Sequence, residues 1–149
     1  MGVAEHPKRL MTPALGSCVG VALWDPSARR GALAHIMLPA PTSSSVNPES
    51  SRFASWAVPA LVELMLADGS PRRRLRAKIA GGAAMFRGQA AHIPNLGDRN
   101  VAEVRRQLEI VRVRLVAEDT GGNFARTIEL CLDSGILVVR SYKLGASEL

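Results

Sequence analysis

The chain alternates between short apolar runs and clusters of turn-forming residues, with two longer stretches of helical period among them. Residues 19–24 are apolar throughout, bounded by Gly16 before and Asp25-Pro26 after, the pattern of a strand buried on both faces. A second apolar run, residues 32–38, is interrupted only by His35 and closed by Pro39. Asp25, Pro26, Ser27 and Gly31 lie between the two runs, which predicts a hairpin. Residues 40–51 are rich in Pro and Ser and predict a mobile loop. Phe53, Trp56, Ala57, Ala60, Leu61 and Leu64 then form a helical stripe ending near Gly69. Pro59 inside that stripe predicts either a kink or a helix that begins near it.

Residues 76–80 read as a strand leading into Gly81-Gly82. Asn100, with Glu103 three residues on, has the form of a capping box. Val101, Val104, Leu108 and Val111 share one face of the helix it would open. Residues 115–117, 127–132 and 136–140 read as strands, the last two joined by a tight turn at Asp133-Ser134-Gly135. Two helices and five or six strands make an α+β or mixed α/β domain.

At 149 residues the chain fits one domain, spanning 1–149. A domain of that size buries roughly 68–70% of its unfolded surface, so no disulfide or metal is needed to support the core. Hydrophobic content of 47% and charged content of 21% exclude disorder. No apolar run approaches the roughly 20 residues that cross a bilayer. Residues 1–11 read as a short leader without the apolar stretch of a signal peptide. Cytoplasmic localisation without membrane insertion is the expectation.

The net charge of +6 has a local origin. Residues 72–78 read Arg-Arg-Arg-Leu-Arg-Ala-Lys, and without those five cations the chain would hold 14 basic against 13 acidic residues. A single run of this kind is usually a solvated edge. With one Tyr, three Phe and two Trp, and no nucleic-acid-binding motif, no nucleic acid is expected as a partner.

Two cysteines, Cys18 and Cys131, frame neither a disulfide scaffold nor a metal site, and no metal or cofactor is expected. Cys131 reads as core. Cys18 follows Gly16-Ser17 on a turn entering the first apolar run, where backbone amides can face a developing oxyanion. His35 is the one polar interruption of the second run. Paired, the two would give a thiolate stabilised by imidazolium. In the hairpin they fall near opposite ends of the register, so contact requires a bulge or a bent entry at Cys18.

The segment from Thr12-Pro13-Ala14-Leu15-Gly16-Ser17-Cys18 through Ala34-His35-Ile36-Met37-Leu38-Pro39 resembles CheD, the chemoreceptor glutamine deamidase family. The likeness continues through Lys78-Ile79-Ala80-Gly81-Gly82-Ala83, Gly97-Asp98-Arg99-Asn100-Val101 and Glu118-Asp119-Thr120-Gly121-Gly122-Asn123. It implies a fold similar to the catalytic domain of cytotoxic necrotizing factor toxins, a layered sandwich of mixed β-sheet with helices packed outside. It implies Cys18 as nucleophile, His35 as general base and acid, and Thr12 as the residue that orients His35. Gly16, Ser17 and Asn123 are then expected at the substrate. The implied reaction converts receptor glutamine to glutamate through a thioester and releases ammonia, with methyl-ester hydrolysis as a side activity. The implied partners are methyl-accepting chemoreceptors and a CheC-type phosphatase, towards which the basic run at 72–78 would be a docking patch. Pro13, Ala84 and Ala125 depart from the family pattern, and they motivate the alternative of a non-catalytic adaptor that binds the phosphatase. The leader before Thr12 is shorter than usual, which predicts a reduced N-terminal strand.

Overall fold

The computed structural model describes residues 1–43, 47–85 and 94–149. Among them run nine strands and two α-helices in three layers. The middle layer is a sheet of five strands in the order β1-β4-β3-β5-β6: β1 (Gly2–Glu5), β4 (Arg30–Ile36), β3 (Val19–Asp25), β5 (Arg76–Gly81) and β6 (Arg114–Thr120). One face of it is covered by α1 (Ala54–Ala67) and α2 (Leu96–Ile110). The other face is covered by a second sheet in the order β2-β7-β8-β9: β2 (Arg9–Leu15), β7 (Arg126–Cys131), β8 (Leu137–Ser141) and β9 (Gly145–Glu148).

The hairpin of β3 and β4 forms as expected, and its strands are apolar but for Asp25, Arg30 and His35 because both faces are covered. Its turn is closed by Asp25, a fully buried carboxylate that accepts from the amides of Ser27 and Ala28 and from the guanidinium of Arg74. Burial works to raise the Asp25 pKa, but these bonds prevail and hold it below the usual carboxylate value. The basic run is therefore not a free edge. Arg72 donates to the Val111 carbonyl, Arg76 to the Arg73 and Leu75 carbonyls, and Lys78 to the Gly135 and Leu149 carbonyls. Arg73 is left without a side-chain partner among the described residues.

Several elements depart from the sequence reading. The leader at 1–11 carries β1, paired antiparallel to β4, and the first half of β2. Both escape notice because their exposed edges mix polar and apolar residues. Helix α1 begins at Ala54, five residues before Pro59, and runs through it. Its first-turn amides are taken by the carbonyls of Leu38 and Pro39, so its start needs no side-chain cap. Its buried face is Ala54, Ala57, Val58, Leu61, Val62 and Met65, rotated from the expected stripe, and Leu64 lies exposed. The helix is apolar nearly all round, which blurs its periodicity. Of the expected loop at 40–51, residues 40–43 and 47–51 lie in neither helix nor strand, and 44–46 fall outside the described residues. Helix α2 starts at Leu96 under a cap from Asn95, whose Oδ1 accepts from the Asp98 amide at 3.0 Å. Asn100 lies inside that helix rather than at its start. No helix among the described residues is long and apolar enough to cross a membrane.

Candidate active site

The site lies at the open end of the β3–β4 hairpin, on the face covered by the second sheet. Val19 pairs with Ile36 and Gly20 with His35, so the entry to β3 and the exit of β4 share one end. The expected separation of Cys18 from His35 is thereby corrected. The tight turn after Asp25 lets β4 begin at Arg30, and this sets the register. Cys18, two residues before Gly20, packs against the apolar cluster between the sheets, diagonally across from His35. Among the described residues no hydrogen bond joins the Cys18 thiol to His35.

Thr12 reaches His35 from the facing sheet, with Oγ1 2.9 Å from Nδ1. That contact depends on a bulge in β2. Thr12 pairs with Ile128 and Leu15 with Arg126, so β2 carries one residue more than β7 between those rungs. Pro13 and Ala14 occupy the bulge, Ala14 at φ 58, in the left-handed region. Pro13 is exposed there and its missing amide costs no ladder bond. The sheets close tightly beneath the histidine. A Cβ on Gly20 would come within 2.3 Å of Ile128 Cδ1, so any larger residue opposite His35 would have to push the ends of Ile128 and Leu15 aside.

The turn that carries the cysteine is held by its carbonyls. The Gly16 carbonyl accepts from the Ala83 amide at 2.8 Å and the Cys18 carbonyl from the Gly82 amide at 2.8 Å. The Ser17 carbonyl accepts from Asn100 Nδ2 at 2.8 Å. Gly81 must be glycine, since at φ 113 its Cβ would lie 2.2 Å from the Cys18 oxygen. Because a trans peptide sets N–H opposite C=O, these bonds turn the amides of Ser17 and Cys18 away from the junction of β5 with α2. The Ser17 amide has no partner among the described residues, and the Cys18 amide lies against its own thiol. They are available donors for an oxyanion.

Burial governs the ionisation of both candidate reacting groups. It pushes the Cys18 thiol up and the His35 imidazole down, so the resting pair is neutral near pH 7. Both directions favour a thiol and a neutral imidazole at rest over a thiolate–imidazolium pair.

Gly16 and Ser17 sit in the turn itself, and Ser17 lines a cavity of about 110 Å³ with Ala83, Ala84, Met85, Asn95, Leu96 and Gly97. Asn123 lies on an exposed turn, its Oδ1 accepting from Lys143 Nζ at 3.0 Å. That turn is tied to the glycine loop through Gly121 N–H to the Gly81 carbonyl and Ala84 N–H to the Gly122 carbonyl. Ala84 acts there through its backbone alone. Sequence reasoning missed Asn100, because its pattern with Glu103 imitates a cap. The better signal was Asn95 with Asp98, three residues apart.

The sequence profile described as CheD chemotactic sensory transduction matches residues 37–141. The chain is 45% identical to the probable chemoreceptor glutamine deamidase CheD 2 of Geobacter metallireducens, covering 100% of this chain and 96% of the relative. It is 45% identical to the probable chemoreceptor glutamine deamidase CheD of Moorella thermoacetica, covering 95% and 89%. The chemoreceptor glutamine deamidase CheD of Thermotoga maritima is 43% identical, with 98% and 88% covered.

Proposed function

The chain belongs to the CheD family, and on that premise we propose that it is a protein-glutamine deamidase acting on methyl-accepting chemoreceptors in the cytoplasm. The observation that carries this reading is the bond of Thr12 to His35 Nδ1 at the hairpin end where Cys18 lies. Nδ1–H donates to Thr12 Oγ1 in the tautomer that leaves Nε2 free as the base. Nε2 takes the Cys18 proton as the sulfur attacks the glutamine carboxamide carbon. The amides of Ser17 and Cys18 receive the oxyanion. As the C–N bond breaks, His35 returns the proton to the leaving ammonia and a thioester remains. His35 then deprotonates water, which attacks the thioester. The C–S bond breaks, glutamate leaves, and the proton returns to Cys18. Thr12 offers only a neutral hydrogen bond, so it fixes the ring without the polarisation an aspartate would add.

On this reading a receptor glutamate methyl ester is hydrolysed along the same acyl-enzyme path, Gly16, Ser17 and Asn123 border the substrate, and a CheC-type phosphatase is a further partner. The three layers are then shared with the catalytic domain of cytotoxic necrotizing factor toxins. The test is incubation of the protein with receptor fragments, followed by mass spectrometry of glutamine-containing peptides. Conversion by the wild type and none by Cys18→Ala is the expected result. Conversion by Cys18→Ala would overturn the mechanism. Phosphatase binding without any conversion by the wild type would leave the adaptor reading in its place.

A further inference from the structure

Asn100 is fully buried in the second turn of α2, yet its bonds all leave the helix. One Nδ2 donates to the Ser17 carbonyl at 2.8 Å and to the Met37 carbonyl at 3.0 Å. Ser17 precedes Cys18 and Met37 lies two residues beyond His35. Both hydrogens of a single planar amide are therefore spent on the two segments that carry the reacting pair. The β3–β4 ladder ends at Val19 and Ile36, so no rung of that hairpin spans these carbonyls. Asn100 closes the hairpin where backbone pairing stops. Its Oδ1 is buried without a partner among the described residues, a liability that a residue kept for packing alone would not carry. The helix is seated closely enough to act as a fixed support. A Cβ on Gly97 would lie 2.4 Å from the Gly82 oxygen, and Gly82 in turn holds the Cys18 carbonyl.

We propose that Asn100 is a positioning residue, a clamp that sets the approach of the Cys18 thiol to the His35 imidazole through the Ser17 and Met37 carbonyls. The proposal rests on the reading of Cys18 and His35 as the reacting pair.

The test has two readouts on the full chain. The first is the pH dependence of Cys18 alkylation by iodoacetamide, followed at the Cys18 peptide by mass spectrometry. The second is kcat and KM for receptor deamidation. Asn100→Leu keeps the branched shape and removes both donors. It is expected to lower kcat by about 10–100-fold with KM little changed, the scale of a misplacement near 1 Å. Its alkylation profile should match that of His35→Ala, the rate rising only with ionisation of an isolated thiol. Val104→Ala, a cavity variant on the same helix with a similar loss of Tm, should change neither readout. If Asn100→Leu does not fold, Asn100→Ala, which also lacks both donors, carries the same comparison. A folded variant with the wild-type alkylation profile and kcat would overturn the clamp. A wild type that deamidates nothing would overturn the functional reading instead, and the alkylation profile would still decide the clamp.

Discussion

The two faces of the five-stranded sheet are built from alternate residues of the same strands, yet they do different work. Val19, Val21, Leu23, Ala32, Ala34 and Ile36 point to the helices and join a cluster of about twenty buried apolar residues. Gly20, Ala22, Leu33 and His35 point to the second sheet. There Leu15, Ile128 and Leu130 pack between the sheets, Thr12 bonds His35, and Cys18 lies against the same cluster at the same end of the hairpin. The comparison teaches that stability and chemistry are separated by the pleat of one hairpin. A side chain's parity decides which of the two it serves.

The separation can be broken most sharply at His35. His35→Ala should slow receptor deamidation by about 10²–10⁴-fold, the range for a general base, while thermal unfolding stays close to wild type. A large loss of Tm with the rate retained would erase the distinction between the faces. On the opposite face, Leu61→Ala empties a fully buried site under α1. Denaturant titration should show a loss of about 2–5 kcal/mol, with kcat of the folded fraction unchanged. Smaller still is Thr12→Val, which removes one neutral hydrogen bond worth about 0.5–1.5 kcal/mol and should slow turnover by about 3–10-fold. Thr12→Ser should restore most of it. The pH profile sharpens the same point. On the proposed mechanism neutral His35 is the competent form, and burial lowers its pKa, so that form persists to lower pH than for a free imidazole. Activity should be lost as pH falls through a midpoint below 6.5, measured on kcat/KM.

Where both faces of a strand are covered, the apolar runs announce it, and the β3–β4 hairpin was legible for that reason. So were β5, β7 and β8 and the existence of both helices. The sequence was less informative where an element draws its stability from distant partners. β1 holds to the sheet edge by pairing with β4, and β9 pairs with β8 while fully exposed, so neither has an apolar signature. The start of α2 was misread because Asn100 and Asn95 both satisfy a local capping pattern. Only the tertiary fold shows that Asn100 reaches Ser17 and Met37, residues 83 and 63 positions away in the chain. Cys18 and His35 stood out as chemical anomalies in apolar runs. Thr12 carried no such mark, since its partner lies in the other sheet and local periodicity holds no record of it. Its assignment came through family resemblance, and the physical reason became visible only with the two sheets in place.

The bulge at Pro13-Ala14 is in effect a phase shifter. Upstream of it, Leu10 and Thr12 face inward; downstream, Leu15 does, three positions after Thr12 rather than two or four. A strand counts its sides by twos, so at a spacing of three the extra residue must be absorbed in a bulge for a core leucine and the histidine's partner to share a side. Deleting Ala14 would leave the strand its length of pairing and its leucine in the core. Thr12, then two positions from Leu15, would keep its side, and Pro13 would take the outward rung between them. The alignment of this site is thus written in the arithmetic of the backbone as much as in the identity of any side chain.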